Sequence, residues 1–240
     1  SLDTVIQAFR VAESVLVPVM VSHDAFYVSH ALEPVQVPQQ ALVDEFLPAF
    51  APPHRIDPDK VESWGNVVSQ EMYNRHRRDL GAAMARVPAV AIDADREWNR
   101  LTGRGWGIIE RYRCDGARTV IVTMGSMCGT ARDAVDALRA AGQAVGLLKV
   151  RLYRPLPVEA LRAALAGVPE VLVLDRNYSP GHGGVLHQEL RAALYGMDRA
   201  PVIRGLLAGV GGVNVSPERI AGYVESAAGI DAGPDSVWAG

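Results

Sequence analysis

Ser22-His23-Asp24 brings a nucleophile, a base and a carboxylate into one tripeptide, with a second pair at Ser29-His30. A Ser-His-Asp relay needs those three types, but its members must meet at one point, and neighbours in sequence diverge. The string therefore reads as pocket lining at a strand end, with His23 donating a hydrogen bond to a cofactor or substrate and Asp24 beside it. Gly125-Ser126-Met127-Cys128-Gly129-Thr130 follows a β-branched run and opens a helical one. Its backbone N–H groups can face an anion such as phosphate, with the helix dipole adding roughly 0.3–1 kcal/mol. It is neither G-x-G-x-x-G nor a Walker motif, and a turn at Gly125 with Ser126 or Thr130 as helix cap explains the same residues. Asp175-Arg176, followed by Asn177 to Gly184, sits at the carboxyl end of an expected strand, where parallel sheets present ligands. The two residues either anchor a substrate or form an ion pair that fixes the loop at a subunit contact, and the contact is the favoured reading. His182 and His187 lack the i, i+4 spacing of helical metal ligands and read as surface or capping residues. Gly209 to Asn214 reads as a tight connection, and no metal site is assigned.

The elements that must position these strings follow from periodicity. Leu2 to Ser14 has helical spacing and leads into a short strand, Pro18 to Val21. Glu33 to Asp59 carries Pro34, Pro38, Pro48, Pro52, Pro53 and Pro58, too many for regular structure, and reads as an extended crossing. Asn66 to Leu101 reads as a helix interrupted at Pro88. From Thr119 onward strands and helices alternate. The strands are 119–124, 145–150, 171–174 and 202–206, and the helices 130–141, 158–166, 184–195 and 217–227. That alternation implies right-handed crossovers and a mostly parallel sheet covered on both faces. Gly142 is placed to end one helix, and Ser216-Pro217 to begin another.

The chain has 240 residues, enough for one large domain or two modest ones. With 49% hydrophobic and 21% charged residues it has the composition of a globular protein, and a net charge of −3 with no dominant basic face argues against nucleic acid. No apolar run approaches the ~20 residues of a membrane span. Cys114 and Cys128 form no C-x-x-C pair and read as free core thiols in a reducing cytoplasm, unable alone to hold an iron–sulfur cluster. The chain opens at Ser1 without an initiator Met, which suggests a piece of something longer.

Taken in order, several strings resemble the alpha subunit of the 2-oxoacid:ferredoxin oxidoreductases, the pyruvate synthase family. Pro18 to Val21 with Asp24-Ala25-Phe26 and Ser29-His30 is similar to the end of that family's pyrimidine-binding domain. Gly103 to Gly107, Val122 to Ser126, Cys128 to Ala131, Gly146 to Arg151 and Tyr153-Arg154-Pro155 are similar to the entry of its second domain. Leu174 to Asn177, Leu190 to Gly196 and Gly209 to Gly212 continue it. The resemblance implies an α/β protein: the end of a thiamine-type pyrimidine-binding domain and its Pro-rich, helical linker over 1–104, then a transketolase C-terminal-like domain over 105–240.

It further implies a component of a thiamine diphosphate-dependent enzyme that converts a 2-oxo acid to acyl-CoA, with electrons passing to ferredoxin or another acceptor. The cofactor carries that chemistry. No Gly-Asp-Gly run is present to help hold the diphosphate and its Mg²⁺, so that site is expected to be shared with a partner subunit. Iron–sulfur clusters and coenzyme A are expected on the complex and not on this chain alone. Catalytic residues are expected before Ser1 and on partners: a thiamine diphosphate-binding beta subunit, a gamma subunit and a ferredoxin-like iron–sulfur subunit. Two competing readings stand beside this one, a stand-alone nucleotide-binding or regulatory module using Gly125 to Thr130, and a non-catalytic assembly scaffold.

Overall fold

A computed structural model describes residues 1–239. The chain forms two compact units, one made of Ser1–His23 and Leu32–Gly107, the other of Asp24–Ala31 and Ile108 to the carboxyl end.

The first unit is helical. It contains α1 (Leu2–Val15), α2 (Gln40–Phe46) and α3 (Gln70–Thr102), with α1 and α2 packed on α3. Val11, Val15, Phe46, Val87, Ala94 and Trp98 are buried, and the Phe46 and Trp98 rings meet edge-on at 5.1 Å, a geometry that suits the ring quadrupoles. Polar ties fasten the turn after α3 back to the helices. Arg104 donates from Nε and Nη2 to the two oxygens of Asp3, each at 2.8 Å, and the Trp106 indole N–H donates to Asp3 at 3.2 Å. Asp95 accepts from Gln7 and from the Trp106 and Gly107 amides. Burial alone would raise the Asp3 pKa, but the hydrogen bonds from Arg104 and Trp106 help to outweigh it and hold the carboxyl below its ordinary value.

Three expectations for this unit need correction. Pro18 to Val21 forms no strand, because a strand requires a ladder partner and among the described residues no segment pairs with it. The Pro-rich crossing contains α2, whose Phe46 is drawn into the core. Pro88 does not interrupt α3. Its missing N–H and ring clash cost about 3 kcal/mol, and burial of Val87, Ala94 and Trp98 along one face keeps the helix continuous.

The second unit is a three-layer α/β sandwich. In chain order it runs β1 (Ile109–Tyr112), β2 (Thr119–Thr123), α4 (Met127–Ala140), β3 (Val145–Val150), α5 (Val158–Leu165), β4 (Glu170–Asp175), β5 (Tyr178–Ser179) and β6 (Gly183–Gly184). It continues with α6 (Val185–Leu194), β7 (Val202–Leu207), α7 (Pro217–Glu225) and β8 (Val237–Trp238). The sheet order is β1-β3-β2-β4-β7-β8, parallel throughout except for β1, while β5 and β6 form a separate small hairpin. Alternate residues of each central strand face opposite layers. Val120, Val122, Leu148, Val171 and Val173 meet Leu161 and Leu165 of α5 and Leu186 and Leu190 of α6. Ile121, Leu147, Leu172 and Leu174 meet Met127, Ala131 and Leu138 of α4 and Ile220 of α7. Two buried faces explain why these strands read as continuous apolar runs.

The parallel sheet is thus the one expected from the sequence, and the Ser216 cap and the left-handed Gly142 are where expected. The edge strands β1 and β8 and the β5–β6 hairpin were not expected. Among the described residues no helix is long and apolar enough to cross a membrane.

Candidate functional site

In the order β3-β2-β4-β7 the chain leaves β2 toward β3 on one side and returns to β4 on the other. The connections after β2 and β4 therefore part company, leaving the crevice at the carboxyl ends of the strands where open α/β sheets take ligands. The residues following those two strands are Gly125-Ser126 and Arg176.

The chain's own segment Asp24–Ala31, which belongs to the same unit, reaches this crevice through Asp24 and Tyr27 and is otherwise exposed. The Ser126 backbone N–H, at the start of α4, donates to Oδ2 of Asp24. The first turn of α4 has no acidic residue of its own and no side-chain cap, so Asp24 supplies from far away the negative charge that a helix amino terminus favours. Gly125 is left-handed at φ 69, and a Cβ built there would lie 3.2 Å from the Asp24 carboxyl carbon and closer still to Oδ2. Glycine is required on both counts.

Arg176 joins the two sides. Its Nη1 donates to Ser126 Oγ at 3.2 Å, and its guanidinium lies 4.9 Å from the centre of the Tyr27 ring, within the range of a cation–π contact. Its Nε is buried with no hydrogen-bond partner among the described residues, pressed toward Gly209, where a Cβ would come within 3.0 Å. The Tyr27 hydroxyl donates to the Gly212 carbonyl at 3.2 Å. Within the strap, the Phe26 N–H donates to Ser29 Oγ at 3.0 Å, and Ser29 Oγ sits 2.8 Å from His30 Nδ1.

Several sequence readings change accordingly. Gly125 to Thr130 does form an anion-seeking turn, but α4 begins at Met127, neither Ser126 nor Thr130 caps it through a side chain, and the anion at Ser126 is Asp24. Ser22, His23 and Asp24 do not converge: Asp24 is turned to Ser126, while exposed His23 has Nδ1 3.3 Å from Ser1 Oγ. Asp175 and Arg176 make no ion pair with each other. Asp175, 4% exposed, accepts from the Asn177 N–H at 3.0 Å and the Leu186 N–H at 2.6 Å, which makes it the cap of α6. Burial pushes its pKa up.

His182 is exposed as expected, but His187 is not a surface or capping residue. It is fully buried against Gly205, with Nδ1 2.9 Å from Ser236 Oγ and Nε2 unpartnered among the described residues. Burial, helped by nearby Arg191, pushes its pKa down to about 4, so it is neutral at physiological pH. Cys114 and Cys128 are both free and buried, and burial pushes the Cys128 thiol up to about 12.

Tyr27 and the bridging role of Arg176 were missed by sequence reasoning. The signal available was the acid-free first turn of α4, which needs an anion from elsewhere.

Residues 1–96 match the family described as pyruvate flavodoxin/ferredoxin oxidoreductase, thiamine diphosphate-binding, and residues 117–220 match pyruvate:ferredoxin oxidoreductase core domain II. The chain is 40% identical over 222 residues to pyruvate synthase subunit PorA of Methanothermobacter thermautotrophicus, covering 92% of this chain and 57% of that protein. It is 39% identical over 212 residues to ketoisovalerate oxidoreductase subunit VorA of Pyrococcus abyssi, covering 88% of this chain and 54% of that one. Among solved structures, 2-oxoglutarate:ferredoxin oxidoreductase from Magnetococcus marinus aligns with a TM-score of 0.42 at 21% identity, over 66% of this chain and 23% of that chain. The chain spans a little over half the length of the curated relatives it matches.

Proposed function

The chain belongs to the alpha-subunit branch of the 2-oxoacid:ferredoxin oxidoreductase family, and on that premise we propose that it is a component of an assembly that oxidatively decarboxylates a 2-oxo acid. The overall reaction takes R–CO–COO⁻ and coenzyme A thiol to R–CO–S–CoA, CO₂, one proton and two electrons. The electrons pass through iron–sulfur centres to ferredoxin or another acceptor. The observation that carries this reading is the succession of both family matches, in order, along one polypeptide.

Thiamine diphosphate would supply the carbanion chemistry. Its charged end needs amide or cationic partners for the phosphates and hard oxygen ligands for the divalent cation. The described residues do not fit that end. The one helix start poised for an anion at the crevice already holds the Asp24 carboxylate, which repels a second anion, and no three His, Cys, Asp or Glu side chains converge as metal ligands among the described residues. We therefore assign the diphosphate and Mg²⁺ to a thiamine diphosphate-binding beta subunit, and the electron path and coenzyme A to gamma and ferredoxin-like iron–sulfur subunits.

In this reading the α/β unit serves assembly, because the anion-seeking turn at its strand ends is already taken by Asp24 of the strap 24–31. His23, exposed beside that strap, is the candidate pocket-lining donor, and Asp24 contributes by fixing the backbone next to it. The helical unit leaves Phe9, Met20, Val37 and Ile56 between 58% and 89% exposed, an apolar surface that suits contact with other polypeptides. The free thiols suit a cytoplasmic setting. The occupied α4 terminus counts against a stand-alone nucleotide-binding module.

The test is reconstitution with companion subunits, thiamine diphosphate, Mg²⁺ and coenzyme A, following reduction of an acceptor dye with pyruvate and 2-ketoisovalerate. Turnover that depends on this chain is expected. Absence of turnover with any 2-oxo acid refutes the assignment.

A further inference from the structure

Phe26 stands at the bend of the strap Asp24–Ala31 with φ 62, in the left-handed region where a bulky side chain is an outlier. The Tyr27 N–H donates back across it to the Ala25 carbonyl at 2.7 Å, closing a three-residue γ-turn of the rare, strained kind whose central φ is positive. In that region Cβ presses on the following carbonyl oxygen, so the surroundings must hold the residue there. Its own ring does not supply the hold. The ring is 72% exposed, and its stacking neighbour is His30 of the same strap, 4.7 Å away. The hydrogen bonds from Val28 N–H to the Asp24 carbonyl and from His30 N–H to the Phe26 carbonyl are long, at 3.3 Å each.

The anchors to the rest of the unit flank the strained residue. On one side the Asp24 carboxylate accepts the Ser126 N–H. On the other the Tyr27 hydroxyl donates to the Gly212 carbonyl at 3.2 Å, and its ring lies against the Arg176 guanidinium. Ala25 and Phe26 alone separate the two anchors, so the strain falls between the points that hold it. Arg176 also ties the anchors to each other, because its Nη1 donates to Ser126 Oγ at 3.2 Å. The contacts thus run in a closed circuit, from Asp24 to Ser126, to Arg176, to Tyr27 and back through Phe26.

We propose that Asp24–Ala31 is a strained latch with two coupled anchors. Docked, it holds Phe26 left-handed and covers the start of α4. Released, Phe26 relaxes to an ordinary φ, and the Ser126 amide and the Arg176 guanidinium are uncovered together. Strain that is present only in the docked form raises the frequency of release, which makes the strap the readily opened part of an otherwise firmly packed unit.

The test is native-state hydrogen exchange of the full chain, read at Ser126 and at the strap amides of Tyr27, Val28 and His30. Phe26→Ala removes the ring and keeps the strain, whereas Phe26→Gly removes both, so the pair isolates the backbone. Exchange at these amides should be about fivefold slower in Phe26→Gly than in Phe26→Ala, because glycine meets no penalty at positive φ. Ala25→Gly, at a position without positive φ, should speed exchange about threefold, the sign that glycine gives in an unstrained turn. Tyr27→Leu should speed exchange at Ser126 about fivefold, although that amide is bonded to Asp24, and Tyr27→Phe, which keeps the ring on Arg176, should do so by less. Unchanged exchange at Ile121 and Leu172 shows that each variant remains folded. Exchange in Phe26→Gly as fast as in Phe26→Ala, or faster, overturns the strain. Exchange at Ser126 untouched by Tyr27→Leu overturns the coupling. Either result overturns the latch and leaves the family membership intact.

Discussion

Asp24→Ala removes the one side chain that satisfies the start of α4. A hydrogen bond to an ionised acceptor is worth about 1.5–3 kcal/mol, and a carboxylate at a helix amino terminus about 0.3–1 kcal/mol more. Tyr27 keeps its own holds on the unit, a hydrogen bond to Gly212 and the contact with Arg176, so the strap does not detach outright. Taking about 2 kcal/mol as the loss, and a factor of ten for every 1.4 kcal/mol, opening at Ser126 becomes roughly 30-fold more frequent. Asn at the same position keeps an acceptor and loses the charge, which brings the loss nearer 1 kcal/mol and the factor to about fivefold. Native-state hydrogen exchange at the Ser126 amide reads this directly, with Ile121 and Leu172 at the sheet centre as internal references. The ordering wild type, Asn, Ala is expected at Ser126, with little change at the references. Equal exchange at Ser126 in all three proteins would refute the idea that a distant carboxylate caps this helix.

Other outcomes follow from the same contacts. Arg104→Met strands the nearly buried Asp3 with the Trp106 indole as its remaining donor from that loop, and should lower the unfolding free energy by about 3 kcal/mol in urea titration. His187 has a folded pKa near 4, below its unfolded value of 6.5, so the unfolded chain takes up the proton first as pH falls. Stability held above pH 6.5 should decline toward pH 4 by up to roughly 3 kcal/mol, with the raised Asp175 returning part of it, and the slope should shrink in His187→Asn. A thiol reagent at pH 8 should leave both cysteines untouched in the folded chain and label both in urea, since burial raises each thiol above its ordinary value. Gly205→Ala drives a methyl group into the His187 ring, and a loss of about 1–3 kcal/mol in thermal unfolding is expected.

The parallel sheet was legible because both of its faces are buried. Runs such as Val120 to Val122 and Val171 to Leu174 are apolar without interruption, and the intervening helices carry a clear stripe. β1 and β8 were not legible. One is four residues long and half exposed, the other two residues long, and each is a strand only because a neighbour offers its edge. Pro18 to Val21 fails in the opposite direction: it has strand composition and no ladder to join. At the site, the sequence showed that Gly125-Ser126 would seek an anion and that Asp24 lay in a chemically rich string. It could not show that the one answers the other, because local spacing carries no information about a contact made across a hundred residues. The same holds for Arg176, whose partner is an aromatic ring that arrives with the strap.

The outer rim of β7 is guarded more by side chains than by a ladder, with Arg204, Gln188 and Arg191 donating to the carbonyls of Ile230, Pro234 and Gly233. Tail strand β8 covers it only at Leu206 and Leu207, while β1 shields the opposite rim over four residues. Were the tail to peel back, a ready template of unpaired amides and carbonyls would face neighbouring molecules, beginning at half-exposed Val202. Arg204, whose charge is tied to Glu170, is the one charged residue along that strand and the one that disfavours such pairing.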